Sequence, residues 1–291
     1  MSKDPGVIER GEYLVYGPAH CVECHSAVDS LDRLAEGVKL PLSGGLRLVL
    51  GPLGAVYGAN LTPDRETGIG RHSVAQIARM MRWSVRPDGR ASVEPLMPFG
   101  NLSDDDLNAI ISYLRAQPAE RNQVPPNEWR LIGKIVKSLS GTFKPRTTIN
   151  APPTVPAENV TRERGEYLAR FVANCIGCHT PRDRMTFAAT GPEFSGGFDM
   201  EPRLVPGADP KIWFRTPNLT PAPGSSLLKF PDRETFIARF QRGGRQYPGS
   251  AMPWEPFARM SSNDLGALYE FFRSLPAAPG PTGEATFRNG N

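Results

Sequence analysis

The sequence predicts an all-α protein built as two tandem copies of one helical module. Three observations predict it. First, "RGEYL" occurs at Arg10–Leu14 and again at Arg164–Leu168. Each arginine stands eleven residues before the first cysteine of a five-residue word, "CVECH" at 21–25 and "CIGCH" at 175–179, so one offset of 154 carries both features. Second, further words recur in the same order: "NLTP" at Asn60–Pro63 and Asn218–Pro221, "IAR" at Ile77–Arg79 and Ile237–Arg239, and a Met-Pro pair at Met97-Pro98 and Met252-Pro253. Their offsets run from 154 to 160, as insertions in loops would make them. Third, apolar residues follow helical spacing and no sustained alternation marks a strand.

Each copy reads as three helices joined by long loops. The first begins at Asp4-Pro5, a capping residue followed by proline at the first helical position. Gly11, and Gly165 in the second copy, would let another helix come close. A middle helix starts near Ser73, with Val74, Ile77, Ala78 and Met81 on one face. The last helix is capped by Ser103 and carries acidic residues in its first turn, where they suit the helix dipole. Leu107, Ile110, Ile111 and Leu114 form its apolar face, and Leu265, Leu268, Tyr269 and Phe272 repeat that face. The expected domains are residues 1–122 and 159–291.

Residues 123–158 are expected to link them, because "QVPPNE" and "INAPPTVPAE" are proline-rich. The centre of the linker, "EWRLIGKIVKSLSG", sets Trp129, Ile132, Val136 and Leu139 on one side, with Arg130, Lys134 and Lys137 elsewhere. Such a basic amphipathic helix suits a membrane surface or an acidic partner. The favoured expectation is plainer: a connecting helix packed against the modules.

Composition bounds the function. In 291 residues, 39% are hydrophobic and 22% charged, which suits a folded chain rather than a disordered one. The thirty prolines argue against extended central sheets. A net charge of +4 is divided evenly, +2 in residues 1–150 and +2 in 151–291, too weak and diffuse for a nucleic-acid footprint. No apolar run reaches 18 residues. The opening "MSKDPGVIERGEYL" lacks the apolar core of a signal peptide, so a leader or anchor is expected to be missing from the sequence as given.

The two cysteine words use all four cysteines of the chain. C-x-x-C-H is the attachment signal of c-type haem. Two thiols at that spacing can add to the two vinyl groups on one porphyrin edge, while the adjacent histidine is turned beneath the ring to ligate iron. Cys21, Cys24 and His25 are thus assigned to one covalent haem c, and Cys175, Cys178 and His179 to a second. A shared structural zinc site would leave the duplicated histidines and Met-Pro pairs unexplained. A redox-active C-x-x-C pair would leave the histidines unexplained.

Thioether sulfur favours ferrous iron, so methionine opposite histidine raises the reduction potential. Met97 and Met252 are the expected sixth ligands, lying 72 and 73 residues after their histidines in proline-flanked loops. Met80, Met81 and Met260 are the alternatives: the first two sit in a helical pattern and are expected to fill the core, and Met260 adjoins a helix cap with no sulfur counterpart at the equivalent Leu102. His20 and His72 have no counterpart in the second copy and are read as ordinary polar residues. Pro41 and Pro192, each shortly before Ser-Gly-Gly, are expected to lie near a carbonyl that orients the histidine ring.

The stretches "RGEYL…CVECH", "NLTPDRETGIG", "VRPDGR", "MPFGNLSDDDLNAIISYLR" and "CIGCHTPRD" resemble the multihaem cytochrome c subunits of bacterial membrane-bound alcohol, gluconate and related sugar dehydrogenases. The resemblance covers most of both modules and the segment between them. It implies a class I cytochrome c fold in each module, covalent haem c and His/Met ligation. It also implies a place in the periplasm or on the outer face of the inner membrane. Such subunits commonly carry three haem words, and this chain has two. The function expected is one-electron carriage between redox proteins, a donor such as a dehydrogenase and a respiratory acceptor, without catalysis. The competing reading is a dihaem peroxidase or haem-based sensor with one open iron site.

Overall fold

The computed structural model describes residues 1–27, 33–34, 36–93, 96–152, 154–202, 208–281 and 285–289. The chain divides into two compact units, Met1–Val155 and Pro156–Asn291.

In the first unit, helix α1 (Pro5–Tyr16) starts where Asp4 accepts a hydrogen bond from the Gly6 amide. The short α2 (Val22–His25) follows. Helix α3 (Val74–Trp83) opens with a reciprocal cap in which Ser73 and Gln76 bond each other's backbone amides. Helix α4 (Asp104–Ala116) is capped by Ser103 and carries three aspartates in its first turn. Its faces at Leu107, Ile110, Ile111 and Leu114 are buried, as are Leu14 and Val15 of α1. The two helices cross at Gly11, where an added Cβ would lie 2.0 Å from the Ala109 carbonyl oxygen. Arg10 grips the same helix with two hydrogen bonds to Asp106, of 2.9 and 3.1 Å. Conformation and charge thus explain the "RG" of the repeated word.

The second unit repeats this frame. Helix α6 (Arg162–Tyr167) runs into a π-helical turn at Leu168–Val172. After α7 (Cys175–Cys178) come α8 (Arg233–Gln241), α9 (Trp254–Phe257) and α10 (Ser262–Ser274). Gly165 meets α10 as Gly11 meets α4, with its added Cβ 1.9 Å from the Ala267 oxygen. Arg164 binds Asp264 at 2.8 and 3.0 Å, here fully buried. Aromatic rings dominate this core, with Phe194 5.5 Å from Phe271 and Phe236 4.7 Å from Phe240 between ring centres.

The all-α expectation is corrected. Each unit also carries a three-stranded antiparallel sheet, β1-β2-β3 in the first and β4-β5-β6 in the second. In the first, β1 (Arg47–Val49) pairs with β2 (Gly54–Tyr57) in the register Leu48 to Val56, and β2 pairs with β3 (Glu128–Trp129). In the second, β5 (Ile212–Arg215) lies between β4 (Asp199–Met200) and β6 (Thr286–Arg288). The strands have two to four residues, too few to display a period of two. Their third members arrive from remote sequence, so no local hairpin signal announces them.

The segment expected as a linker contributes β3 to the first sheet, and its helix α5 (Leu131–Leu139) rests on the turn at Gly51–Leu53. Among the described residues, no helix is long and apolar enough to cross a membrane.

Candidate haem sites

The residue before each cysteine word has a left-handed backbone, with φ of 40° at His20 and 53° at Asn174. Histidine and asparagine are among the non-glycine residues most tolerant of that region. The two positions are therefore equivalent after all, matched in conformation rather than identity. The His20 ring stays local, 3.1 Å from the Pro18 carbonyl oxygen.

From this kink the chain makes one helical turn. The His25 amide donates to the Cys21 oxygen at 2.9 Å, and the His179 amide to the Cys175 oxygen at 2.8 Å. One turn brings positions i, i+3 and i+4 to one side, which groups each pair of thiols with its imidazole. Both imidazoles are buried.

Each ring is held from behind. His25 Nδ1 is 2.8 Å from the Ala59 carbonyl oxygen, and His179 Nδ1 is 2.8 Å from that of Pro217. A carbonyl can only accept, so Nδ1 carries the proton and the Nε2 lone pair is left for a metal. Burial lowers the pKa of both histidines and outweighs the carbonyl bond, which raises it, so both are kept as neutral imidazoles. The orienting carbonyls belong to Ala59 and Pro217, not to the neighbourhood of Pro41 and Pro192. They directly precede the two "NLTP" words, a recurrence that could have pointed to them.

Those words brace the site. The Asn60 side chain accepts from the Thr62 amide and hydroxyl at 2.9 and 2.7 Å, and donates to the Glu120 carbonyl oxygen at 2.8 Å. Asn218 repeats the set with Thr220, at 2.8 and 2.8 Å, and with Ala278, at 2.9 Å. The strip carrying the histidine's acceptor is thereby tied to the chain leaving the last helix.

The Ser-Gly-Gly loops close the clamp. The Gly44 amide donates to the His25 oxygen at 2.8 Å, and the Gly196 amide to the His179 oxygen at 2.7 Å. Both glycines have φ of 76°, and an added Cβ would lie within 2.6 Å of the backbone around Ala59 or Pro217. Only glycine fits there.

Met97 and Met252 occupy matching loop positions and are half-buried. Each precedes a proline that begins a short helical turn, Phe99–Asn101 in the first unit and α9 in the second. Arg245 donates to the Met252 carbonyl oxygen at 3.0 Å and to Glu255 at 2.8 Å, which secures that loop. Met81 and Met260 are buried in the cores. His72 ends a short turn at the surface and accepts a hydrogen bond from Arg71 at 3.3 Å.

The donor set fits covalent haem better than its rivals. No disulfide forms in either word. Burial first, and then the neighbouring cysteine's charge, push the Cys21 and Cys175 thiols up to about 12, which makes them poor partners for thiol exchange. Among the described residues, no three His, Cys, Asp or Glu side chains are grouped to hold a bare metal ion.

No family model matches the chain. It is 30% identical over 290 residues to the cytochrome c subunit of a quinone alcohol dehydrogenase from Gluconobacter oxydans (strain 621H), a match covering 95% of this chain and 56% of that relative. The fructose dehydrogenase cytochrome subunit of Gluconobacter japonicus is 28% identical over 280 residues, covering 93% of this chain and 53% of its own length. A diheme c-type cytochrome from Cereibacter sphaeroides is 29% identical over 228 residues, covering 75% and 68%. The chain spans about half the length of the dehydrogenase subunits it matches. Two clamped Cys-x-x-Cys-His turns and a likeness running through nearly the whole chain make it a homologue of the cytochrome c subunits of bacterial dehydrogenases.

Proposed function

We propose that this chain is a dihaem electron-transfer protein, a cytochrome c subunit or carrier that takes single electrons from a dehydrogenase and passes them to a respiratory acceptor. The observation that carries the reading is the duplicated histidine clamp: a buried imidazole with Nδ1 committed to a carbonyl, one residue after a pair of thiols, twice. Each haem would supply a one-electron ferric–ferrous couple.

The protein's own residues do the rest. Cys21 and Cys24, and Cys175 and Cys178, would hold one haem each by thioether bonds. His25 and His179 would offer Nε2 to the iron, with the carbonyls of Ala59 and Pro217 preventing ring rotation. Met97 and Met252 would offer it soft sulfur, which favours the reduced state. No acid–base residue needs to act, since the work is to hold, orient and exclude water. The names of the relatives support a dehydrogenase as the partner, and with it a position in the periplasm or at the outer face of the inner membrane.

The test is the visible spectrum of the ferric and ferrous protein with and without carbon monoxide and peroxide. Two low-spin haems with a methionine–iron charge-transfer band, inert to both reagents, are expected. Met97→Ala and Met252→Ala should each open one site, giving one carbon monoxide bound per chain. A high-spin haem in the unaltered protein would favour the peroxidase or sensor instead.

A further inference from the structure

Helix α5 (Leu131–Leu139) sits on the first unit the wrong way round for a helix that serves the core. Its buried residue is Gly133, whose backbone lies against that of Leu53. The large apolar side chains point outward: Leu131 is 75% exposed, Ile132 44%, Ile135 50% and Leu139 77%. At about 100° per residue these four fall within one arc. Arg130, Lys134 and Lys137 fall on the flank. Val49, just before the turn that carries the helix, adds a further exposed apolar group.

Basic groups predominate around this face. Residues 129–146 hold five basic and no acidic side chains, against a net charge of +4 for the whole chain. Lys137 lies over the Trp129 ring at 5.1 Å, and Arg86 and Arg90 act on it together with the one carboxylate of Asp88.

We propose that α5 is a docking surface for an anionic phospholipid bilayer, with Leu131, Ile132, Ile135 and Leu139 immersed and Arg130 and Lys134 at the headgroups. Protein interfaces are depleted of lysine and rely on aromatic residues and arginine at their centres. Aliphatic residues flanked by lysines are the pattern of helices lying in a bilayer interface, where long basic side chains reach up to phosphates. The proposal deepens the location given above, and its failure would leave the electron-transfer reading intact, because the haem spectrum judges that separately.

The experiment is flotation of the full haem-loaded chain with vesicles of phosphatidylglycerol and phosphatidylcholine, compared with pure phosphatidylcholine. The chain should float with the anionic vesicles and less so as salt rises. The double variant Leu131→Ser, Leu139→Ser should bind at least about tenfold more weakly, since it removes the two most exposed apolar groups. Lys134→Glu should bind more weakly on anionic vesicles alone. Both variants alter exposed side chains, so haem spectra and unfolding midpoints should match those of the unaltered chain. Equal flotation of the double variant, or none by the unaltered chain, would overturn the proposal. So would a dimer in light scattering that the double variant abolishes, which would put a second copy on this face.

Discussion

Asn60 shows how one side chain can steady a histidine through its neighbour's carbonyl. Its amide joins Thr62 to Glu120 beside the carbonyl that orients His25. Asn60→Ala leaves the buried Thr62 amide without its partner, while the Glu120 oxygen keeps the Thr62 hydroxyl at 3.0 Å, so it should cost about 1–3 kcal/mol in urea unfolding. It should also shift the first haem's spectrum and leave the second unchanged. A milder residue-scale effect belongs to Asp64, whose carboxyl is held below its ordinary range by hydrogen bonds from the Thr67 backbone and hydroxyl. A depressed folded pKa stabilises above the unfolded value, and that stability is lost as pH falls through the folded one. The stability gap between the unaltered chain and Asp64→Asn should thus be widest near neutrality and close in acid, as unfolding midpoints against pH would show.

Crossed terminal helices are the element on which each unit is built. Gly11→Ala would drive a methyl into the Ala109 carbonyl, so α1 and α4 must separate, at a cost of about 3 kcal/mol. The two arginine–aspartate pairs make an internal comparison. Arg164 and Asp264 are wholly buried, whereas Arg10 is 19% exposed. Asp264→Ala leaves the buried Arg164 guanidinium only the Pro156 carbonyl at 3.0 Å and the Glu158 carboxylate at 3.5 Å and should cost about 3 kcal/mol, while Asp106→Ala lets Arg10 reach water and should cost less. Denaturant unfolding of the two variants side by side gives the order. The same elements show what could be read in advance. Helix caps and the face at Leu107, Ile110, Ile111 and Leu114 are local, so spacing revealed them. The sheets were missed because β3 and β6 pair with strands tens of residues away.

For the molecule as a whole, the division at Val155 and Pro156 predicts two self-sufficient proteins. Residues 1–155 and 156–291, expressed separately in a host that attaches haem, should each carry one haem by mass. Replacing His179 in the full chain should perturb the second haem alone. Loss of both haems from either change would mean that the units depend on each other. The outward face of α5 is a property of this scale as well. The sequence shows an amphipathic helix, whose apolar face is expected to pack against the modules. The fold instead turns Gly133 inward, because only a residue without a side chain lets the helix lie on the Leu53 backbone.

By itself, the sequence determined the duplication, the helical frame and the spacing of the two Cys-x-x-Cys-His words. Each of these is written in residues a turn or less apart, or in exact recurrence. Tertiary structure alone decided which carbonyl orients each histidine, which strands close each sheet and which side of α5 meets solvent. Those depend on backbone groups, which every residue carries alike, and on contacts between segments that no local pattern connects.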